Sequence, residues 1–295
     1  MKLNVPYHEV DDMIKATKKM FEITGHNKAE YHEFFIPKKS GGMRRIEAPS
    51  EGLRELQKLR LLDIYKSTKR PYFAHGFERG RGIFTNARIH CGKKHIMNID
   101  IKDFFPSCTR SMARKVRIPA MEDWEFLHND KLPQGAPTSP AIANRIMAST
   151  DNRIMFMLRK WISDDVRYTR YADDITVSSN SRAIFSRAAY EIIEKALNSK
   201  GFKINKKKVR KISSGKRLEV TGLVINSGKP TVPRRFRRNI RAAVHNATFT
   251  GCTSEESDTL EGQIGHIALC HPKEAKKLRD KLSGVTIKPY DASAP

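Results

Sequence analysis

The sequence predicts an α+β protein, an antiparallel sheet covered by helices and followed by a smaller helical module. Three observations carry this expectation. Helical and strand periods interleave without a strict βαβ rhythm. Residues 166–171 and 175–178 alternate in polarity and are separated only by Ala172-Asp173-Asp174, which reads as a tight antiparallel hairpin. Residues 253–285 have the spacing of two helices, with Thr253-x-x-Glu256 as a capping box for the first and Pro272 opening the second.

The elements follow in order. Residues 1–35 place Val10, Met13, Ile14, Met20 and Phe21 at helical spacing, one or two small helices. Phe34-Phe35-Ile36-Pro37 and Met43-Arg44-Arg45-Ile46 flank Lys38-Lys39-Ser40-Gly41-Gly42, a basic hairpin. Leu53, Leu56, Leu59, Leu62 and Tyr65 mark an amphipathic helix, and residues 94–101 a buried strand. Residues 141–162 read as a helix with an apolar stripe, and 186–200 as another, closed by Gly201. Residues 218–225 read as one strand, with Asn226-Ser227-Gly228 turning back towards Thr231-Val232. Trp124 and Trp161 read as core residues rather than base-stacking platforms.

Composition limits the partners. The 295 residues hold 56 Lys and Arg against 32 Asp and Glu, a formal net charge of +24. So one-sided a charge calls for a polyanion, nucleic acid first and an anionic membrane surface second. Hydrophobic residues at 39% suffice for a core, which excludes disorder for most of the chain. The length suggests two or three subdomains, because one core stops growing near ~250–300 residues. No run approaches the ~18 apolar residues of a membrane span, and the first twenty residues lack a signal peptide's apolar centre. A soluble cytoplasmic protein with no membrane partner is expected. Cys91, Cys108, Cys252 and Cys270 form no CxxC pair. Cys91 and His95 stand four apart without a second ligand pair, so reduced structural thiols are expected rather than zinc.

Chemistry concentrates in the acids. Asp173-Asp174 at a hairpin tip is costly unless a cation compensates it. Asp100 ends an apolar strand. If the two elements are sheet neighbours, Asp100 and Asp173 converge at one edge, an all-oxygen set suited to Mg²⁺. Two such ions ~3.5–4 Å apart activate an attacking hydroxyl and stabilise leaving pyrophosphate. An isolated Asp-Asp in a turn more often only decorates it.

What surrounds the pair decides between these readings. Asn98-Ile99-Asp100-Ile101-Lys102-Asp103-Phe104-Phe105, then Leu132-Pro133-Gln134-Gly135-Ala136-Pro137-Thr138-Ser139-Pro140, then Tyr171-Ala172-Asp173-Asp174 resemble, in order, the three palm motifs of a reverse transcriptase. Asn86-Ala87-Arg88-Ile89-His90 is similar to the NAxxH element, and Val220-Thr221-Gly222 to the VTG element, of retron reverse transcriptases. The resemblance implies a right-hand polymerase with fingers, an antiparallel-sheet palm and a helical thumb. N-terminal helices and fingers would fill 1–95, the palm 96–228 with a finger insertion at about 110–130, and the thumb 229–295. No protease, integrase, RNase H or maturase-like segment is expected.

The resemblance also assigns roles. Asp100, Asp173 and Asp174 match the catalytic triad and, with the Ile101 carbonyl, the ligands of two Mg²⁺ ions, a set that suits Mn²⁺ as well. Phe105 matches the steric gate against a 2′-hydroxyl rather than a core aromatic, since Phe104 beside it would point the opposite way in a strand. Gln134 matches the glutamine near the incoming nucleotide, and Arg45 a triphosphate contact for which Arg44 serves equally. One of Lys206 to Lys208 would act on departing pyrophosphate, in a stretch, 200–217, that holds nine Lys and Arg and no acid. Asn86, His90, Val220, Thr221 and Gly222 would contact RNA, although Asn86 and His90 fit a structural part equally. Residues 218–230 match the hairpin that positions the primer's end. Arg234, Arg235 and Arg238 would track phosphates from a thumb helix.

A retron enzyme would copy part of a cognate structured non-coding RNA into single-stranded DNA (msDNA) from a guanosine 2′-hydroxyl, using dNTPs. Antiphage defence and a defence effector protein are implied with it. The rivals are a group II intron or diversity-generating reverse transcriptase, and a non-catalytic basic RNA-binding protein.

Overall fold

Helix α1 (Val10–Ile23) buries Val10 and Ile14 against Leu56, Leu59 and Leu62 of α2 (Glu51–Ser67), so both apolar stripes read from the sequence meet each other. Met13 and Met20 of the expected stripe are exposed instead. The computed structural model describes residues 9–23, 30–38, 41–116, 118–119 and 121–288. Phe21's side chain and the turn residues Lys39 and Ser40 lie outside the described residues. The basic hairpin pairs β1 (Tyr31–Pro37) with β2 (Met43–Pro49) antiparallel, Glu33 opposite Glu47 and Phe35 opposite Arg45. It starts three residues earlier than the sequence suggested and projects with most of β1 exposed.

Helix α3 (Ile83–Ile89) precedes β3 (His95–Lys102), the central strand of a five-stranded sheet. Short helices α4 (Arg110–Arg114) and α5 (Asp123–Phe126) follow, then the 23-residue α6 (Ser139–Trp161). The hairpin β4 (Arg167–Tyr171) and β5 (Asp174–Ser179) comes next, then α7 (Arg187–Asn198). β5 pairs one edge of β3, and β6 (Lys203–Ile204) and β7 (Arg210–Ser213) share the other. All pairings are antiparallel.

Alternation along β3 separates two chemistries. Met97, Ile99 and Ile101 point into the main core with Ile142, Ile146, Ile154 and Leu158 of α6 and Ile193 and Leu197 of α7. Ile96 faces the other way, into a second cluster with the C-terminal helices. That leaves Asp100, at the far end of the same face, uncovered by helix. β3 ends at Lys102, and Asp103 takes a left-handed φ of 46°. Phe104 and Phe105 therefore lie in a turn, and the expectation that they face apart along a strand fails. Phe104 is buried and Phe105 half-buried.

Two further expectations need correction. Residues 218–225 are not one strand but two short ones, β8 (Glu219–Val220) and β9 (Leu223–Val224), because the chain reverses at Thr221-Gly222 with φ of 45° and 81°. Two successive positive φ values are the signature of a two-residue hairpin turn. The later return exists: Val224 bridges Thr231. Trp161 is not a core residue; it is 63% exposed at the end of α6.

Helices α8 (Arg234–Thr250), α9 (Ser254–Ala268) and α10 (Pro272–Leu282) close the chain. The Thr253–Glu256 capping box is present, and Pro272 opens α10. Arg237 pairs with Glu274 at 2.5 Å, tying α8 to α10. All four cysteines are free; Cys91 bonds the Ala87 carbonyl and His95 bonds Ser213, so the spacing of four builds no ligand pair. Among the described residues, no helix is long and apolar enough to cross a membrane.

Candidate active site

Asp100 and Asp174 are cross-strand partners, the last pair of the β3–β5 ladder. The next bond of that ladder runs from the Ile101 N–H to the Asp173 carbonyl at 2.9 Å. Three acids read from two distant motifs thus share one sheet edge. The turn between β4 and β5 is only Ala172-Asp173, with Ala172 at a φ of 54°. A non-glycine residue there costs roughly 1–2 kcal/mol, so the surroundings must hold it.

They do so with buried polar groups that sequence reasoning missed. Arg170, wholly buried, donates to the Ala172 carbonyl (2.9 Å) and Asn144 Oδ1 (3.0 Å), and its Nε and Nη2 grip Asp151 at 2.9–3.1 Å. Asn144 in turn donates to the Gly76 carbonyl at 2.8 Å. A Cβ on Gly76 would lie 2.9 Å from the Ala172 nitrogen, so only glycine lets that backbone approach. A signal existed: Tyr168 and Arg170 share the inward face of β4, and Asp151 lies within the buried face of α6. An arginine at an inward register demands a buried acid.

The electrostatics are those of crowded anions. Burial, then repulsion from Asp173 and Asp100, raises the Asp174 carboxyl to about 6 even though one side meets solvent. Asp173 is raised chiefly by burial, opposed first by a bond from its own N–H. Asp100 is 5% exposed, and Lys208 lies on its carboxylate at 2.6 and 3.1 Å. The reason lies in the register. Between the pairs Asn98–Arg210 and Ile101–Ile204, β3 spends residues 99 and 100 while the opposite chain spends 205–209. The surplus is a 3₁₀ turn, Lys206–Lys208, folded over Asp100. Lys206 instead pairs with Glu194 at 3.6 Å, which separates the lysines that sequence left equivalent.

The donor set fits a hard divalent cation. It is all oxygen, and its carboxyls, raised chiefly by burial and further by the neighbouring carboxylates, are of the kind that a bound cation would stabilise in the ionised form. The Ile101 carbonyl faces the same edge, since the Asp173 N–H that would complete that ladder pair is turned to Asp173's own carboxylate. The three carboxylates do not all lie within 4.8 Å of one another; among the described residues the group of acids and histidines that does is Glu33, Glu47 and His128. In that fingers group Arg45 already pairs with Glu33 and Glu47, so its charge is met.

This also separates Arg44 from Arg45. The two face opposite sides of β2; Arg45 is engaged with the fingers acids, whereas the charge of Arg44 is the one that reaches Asp173. Gln134 is positioned by the same strand: Glu47 N–H donates to the Gln134 carbonyl at 2.9 Å, and a Cβ on Gly135 would lie 2.7 Å from the Glu47 carbonyl oxygen. Phe105, half-buried, sits with its ring 5.3 Å from that of Phe104.

The expected RNA contacts divide. His90 is wholly buried, its ring nitrogens 2.7 Å from Ser178 Oγ and 2.7 Å from Thr169 Oγ1. Asn86 is buried and donates to Thr221 Oγ1 at 3.3 Å, and Val220 is buried in the second cluster. All three are buried and help to fasten α3 and the β8–β9 turn to the sheet, the structural part that the sequence left open for Asn86 and His90. The two retron-like elements therefore touch each other. Thr221 is half-buried, and Gly222 is exposed. Arg234, Arg235 and Arg238 are exposed on α8 and have no acidic partner among the described residues, whereas Arg237 and Arg241 are held by Glu274.

Residues 36–253 match the family model described as reverse transcriptase (RNA-dependent DNA polymerase). The chain is similar to the retron Mx65 reverse transcriptase of Myxococcus xanthus, 29% identical over 84% of this chain and 63% of that protein. To the retron Mx162 reverse transcriptase of the same organism it is 32% identical, over 90% of this chain and 62% of that one. To the retron Ec86 reverse transcriptase of Escherichia coli it is 34% identical, over 80% of this chain and 74% of that one. The chain thus spans somewhat under two thirds of the length of the two Myxococcus relatives.

Proposed function

Because the chain belongs to the reverse transcriptase (RNA-dependent DNA polymerase) family, we propose that it is the RNA-directed DNA polymerase of a retron. It copies part of a cognate structured non-coding RNA into msDNA, priming from a guanosine 2′-hydroxyl, and serves antiphage defence with an effector protein. The retron reading rests on the NAxxH and VTG elements and on the names of the relatives. The polymerase reading rests on one observation, the register pair Asp100–Asp174 with Asp173 beside it.

Asp100, Asp173, Asp174 and the Ile101 carbonyl would hold two Mg²⁺ ions, for which Mn²⁺ also suits. Bound there, the ions supply activation of the attacking hydroxyl and stabilisation of leaving pyrophosphate. The chain does the rest. The Arg170–Asp151 network fixes the turn that carries Asp173. Arg44 offers a guanidinium to the triphosphate, able to chelate its oxygens in pairs. Gln134 and Phe105 bound the nucleotide, with the Phe105 ring excluding a 2′-hydroxyl. Lys208 holds Asp100 oriented and offers a cation to departing pyrophosphate. Arg234, Arg235 and Arg238 track duplex phosphates.

The test is incorporation of dTTP on poly(rA)/oligo(dT). Wild type incorporates only with a divalent cation, and Asp173→Asn/Asp174→Asn abolishes incorporation; a variant that still polymerises overturns the catalytic assignment. Co-expression with the RNA encoded beside the gene then yields a small branched DNA. Product lacking the 2′–5′ branch favours a group II intron or diversity-generating enzyme, and no incorporation at all favours an RNA-binding protein.

A further inference from the structure

A cavity of about 820 Å³ opens between the C-terminal ends of α2 and α7, helix α4 and the middle of α6. It belongs to the helical layer. The catalytic acids project from the opposite face of the sheet, since Asp100 alternates with Met97, Ile99 and Ile101, which point into the core shared with α6 and α7. Nothing assigned above to catalysis or RNA lines it.

Its walls carry Lys69, Lys115, Lys200 and Arg145, and no acid. Among the described residues, none of the three lysines has an ion-pair partner. This is unusual even for its own neighbourhood: on α4, Arg110 pairs with Asp123 and Asp130, and Arg114 with Asp123. Lys69 and Lys200 follow helix ends, where a cation offsets the macrodipole by only ~0.3–1 kcal/mol. That does not account for the convergence of Lys115 and Arg145 on the same space. Arg145 is held rigidly: Nε donates to Thr68 Oγ1 at 2.9 Å, and Nη1 to Glu78 at 2.7 Å and the Ala141 carbonyl at 3.0 Å. Its Nη2 is buried without an acceptor. Thr109, Ser111 and Ser149 add side-chain hydroxyls.

We propose that this cavity binds a phosphate-bearing ligand, either a free nucleotide or polyphosphate or a backbone phosphate of structured RNA. The volume lies in the range of small-molecule sites, ~300–1,000 Å³. The lining supplies what a phosphate needs, several cations, neutral donors and no competing carboxylate. The site stands apart from the polymerase reading and does not depend on it.

The experiment uses the full chain in EDTA, so that the carboxylate site holds no divalent cation and does not bind phosphate. Pyrophosphate and ATP are titrated by thermal shift, and a short stem-loop RNA by filter binding over a salt series. The variant is Lys69→Gln/Lys115→Gln/Lys200→Gln, with Lys115→Gln alone as the milder form should the triple variant melt early. If the ligand is a nucleotide or polyphosphate, ATP or pyrophosphate raises the wild-type melting temperature and leaves the variant unmoved. If it is RNA, affinity falls at least tenfold, and the slope of log K against log salt drops by about two to three. Equal behaviour of wild type and variant towards all three ligands, including no shift for either, overturns the proposal.

Discussion

Asp100 and Lys208, 108 residues apart in the chain, form an ion pair in which one ammonium meets both carboxylate oxygens, at 2.6 and 3.1 Å. A local surplus of residues opposite β3 produces it, and the hydrogen bond to Asp100 raises the Lys208 pKa above its ordinary value. The lysine is thereby kept cationic at the one edge where three acids meet.

Replacing that cation should act on turnover. Lys208→Gln is expected to lower kcat about 10²-fold, the scale of a positioned proton donor, with KM for dTTP changing far less. Lys206→Gln, whose lysine faces Glu194, should stay near wild type. Single-turnover incorporation measures both, and equal losses would remove the special place given to Lys208.

The Arg170–Asp151 pair makes a stability prediction. Both side chains are buried, so Asp151→Ala strands a guanidinium, for which the cost is about 3–5 kcal/mol. Urea unfolding should show that loss. A change below about 1 kcal/mol, close to that of a surface substitution, would mean that water already reaches Arg170.

Gly76 should matter for activity out of proportion to stability. In Gly76→Ala the new methyl meets the Ala172 nitrogen at 2.9 Å and pushes the turn bearing Asp173. Displacements of this order cost up to ~10²-fold in rate. Gly262→Ala, within α9, where likewise no atom lies within 4 Å, is the control. If both variants incorporate dTTP at the wild-type rate, the close approach has no part in placing the carboxylates.

The motifs revealed the acids but not their supports, for a physical reason. Asp100, Asp173 and Asp174 stand out because unpaired acids at strand ends are costly, and chain order alone suggests that they meet. Lys208 was indistinguishable from Lys206 and Lys207 because the difference is made by a register surplus, which no local pattern encodes. Arg44 and Arg45 were inseparable for a similar reason, as alternation says that they face apart but not which side holds Glu33 and Glu47. His90 and Asn86 stayed open between an RNA contact and a structural part because a histidine's burial depends on partners such as Thr169 and Ser178, 79 and 88 residues away. Trp161 was judged by residue type, which favours the interior, while its place at the last turn of α6 leaves it in solvent.

Buried histidine makes the last prediction, and its sign follows from where the proton goes. Burial pushes the His90 pKa from 6.5 down to about 3, so the folded protein keeps the ring neutral between two hydroxyls. In the unfolded chain the same ring titrates near 6.5. Between those values the unfolded state binds a proton that the folded state refuses, so this stability is complete above pH 6.5 and drains away as the pH falls towards 3. At about pH 5.5 the loss from one such histidine is roughly 1.4 kcal/mol. His75, pushed down to about 4 mainly by burial, acts in the same direction. Urea unfolding of wild type and His90→Gln near neutrality and near pH 5.5 measures the difference. The variant is less stable at neutrality, because glutamine fits the two hydroxyls imperfectly, yet it should lose less on acidification, by about that amount. A variant that weakens as steeply as wild type would show that His90 accepts its proton without unfolding, and that α3 is not fastened to the sheet by a neutral ring.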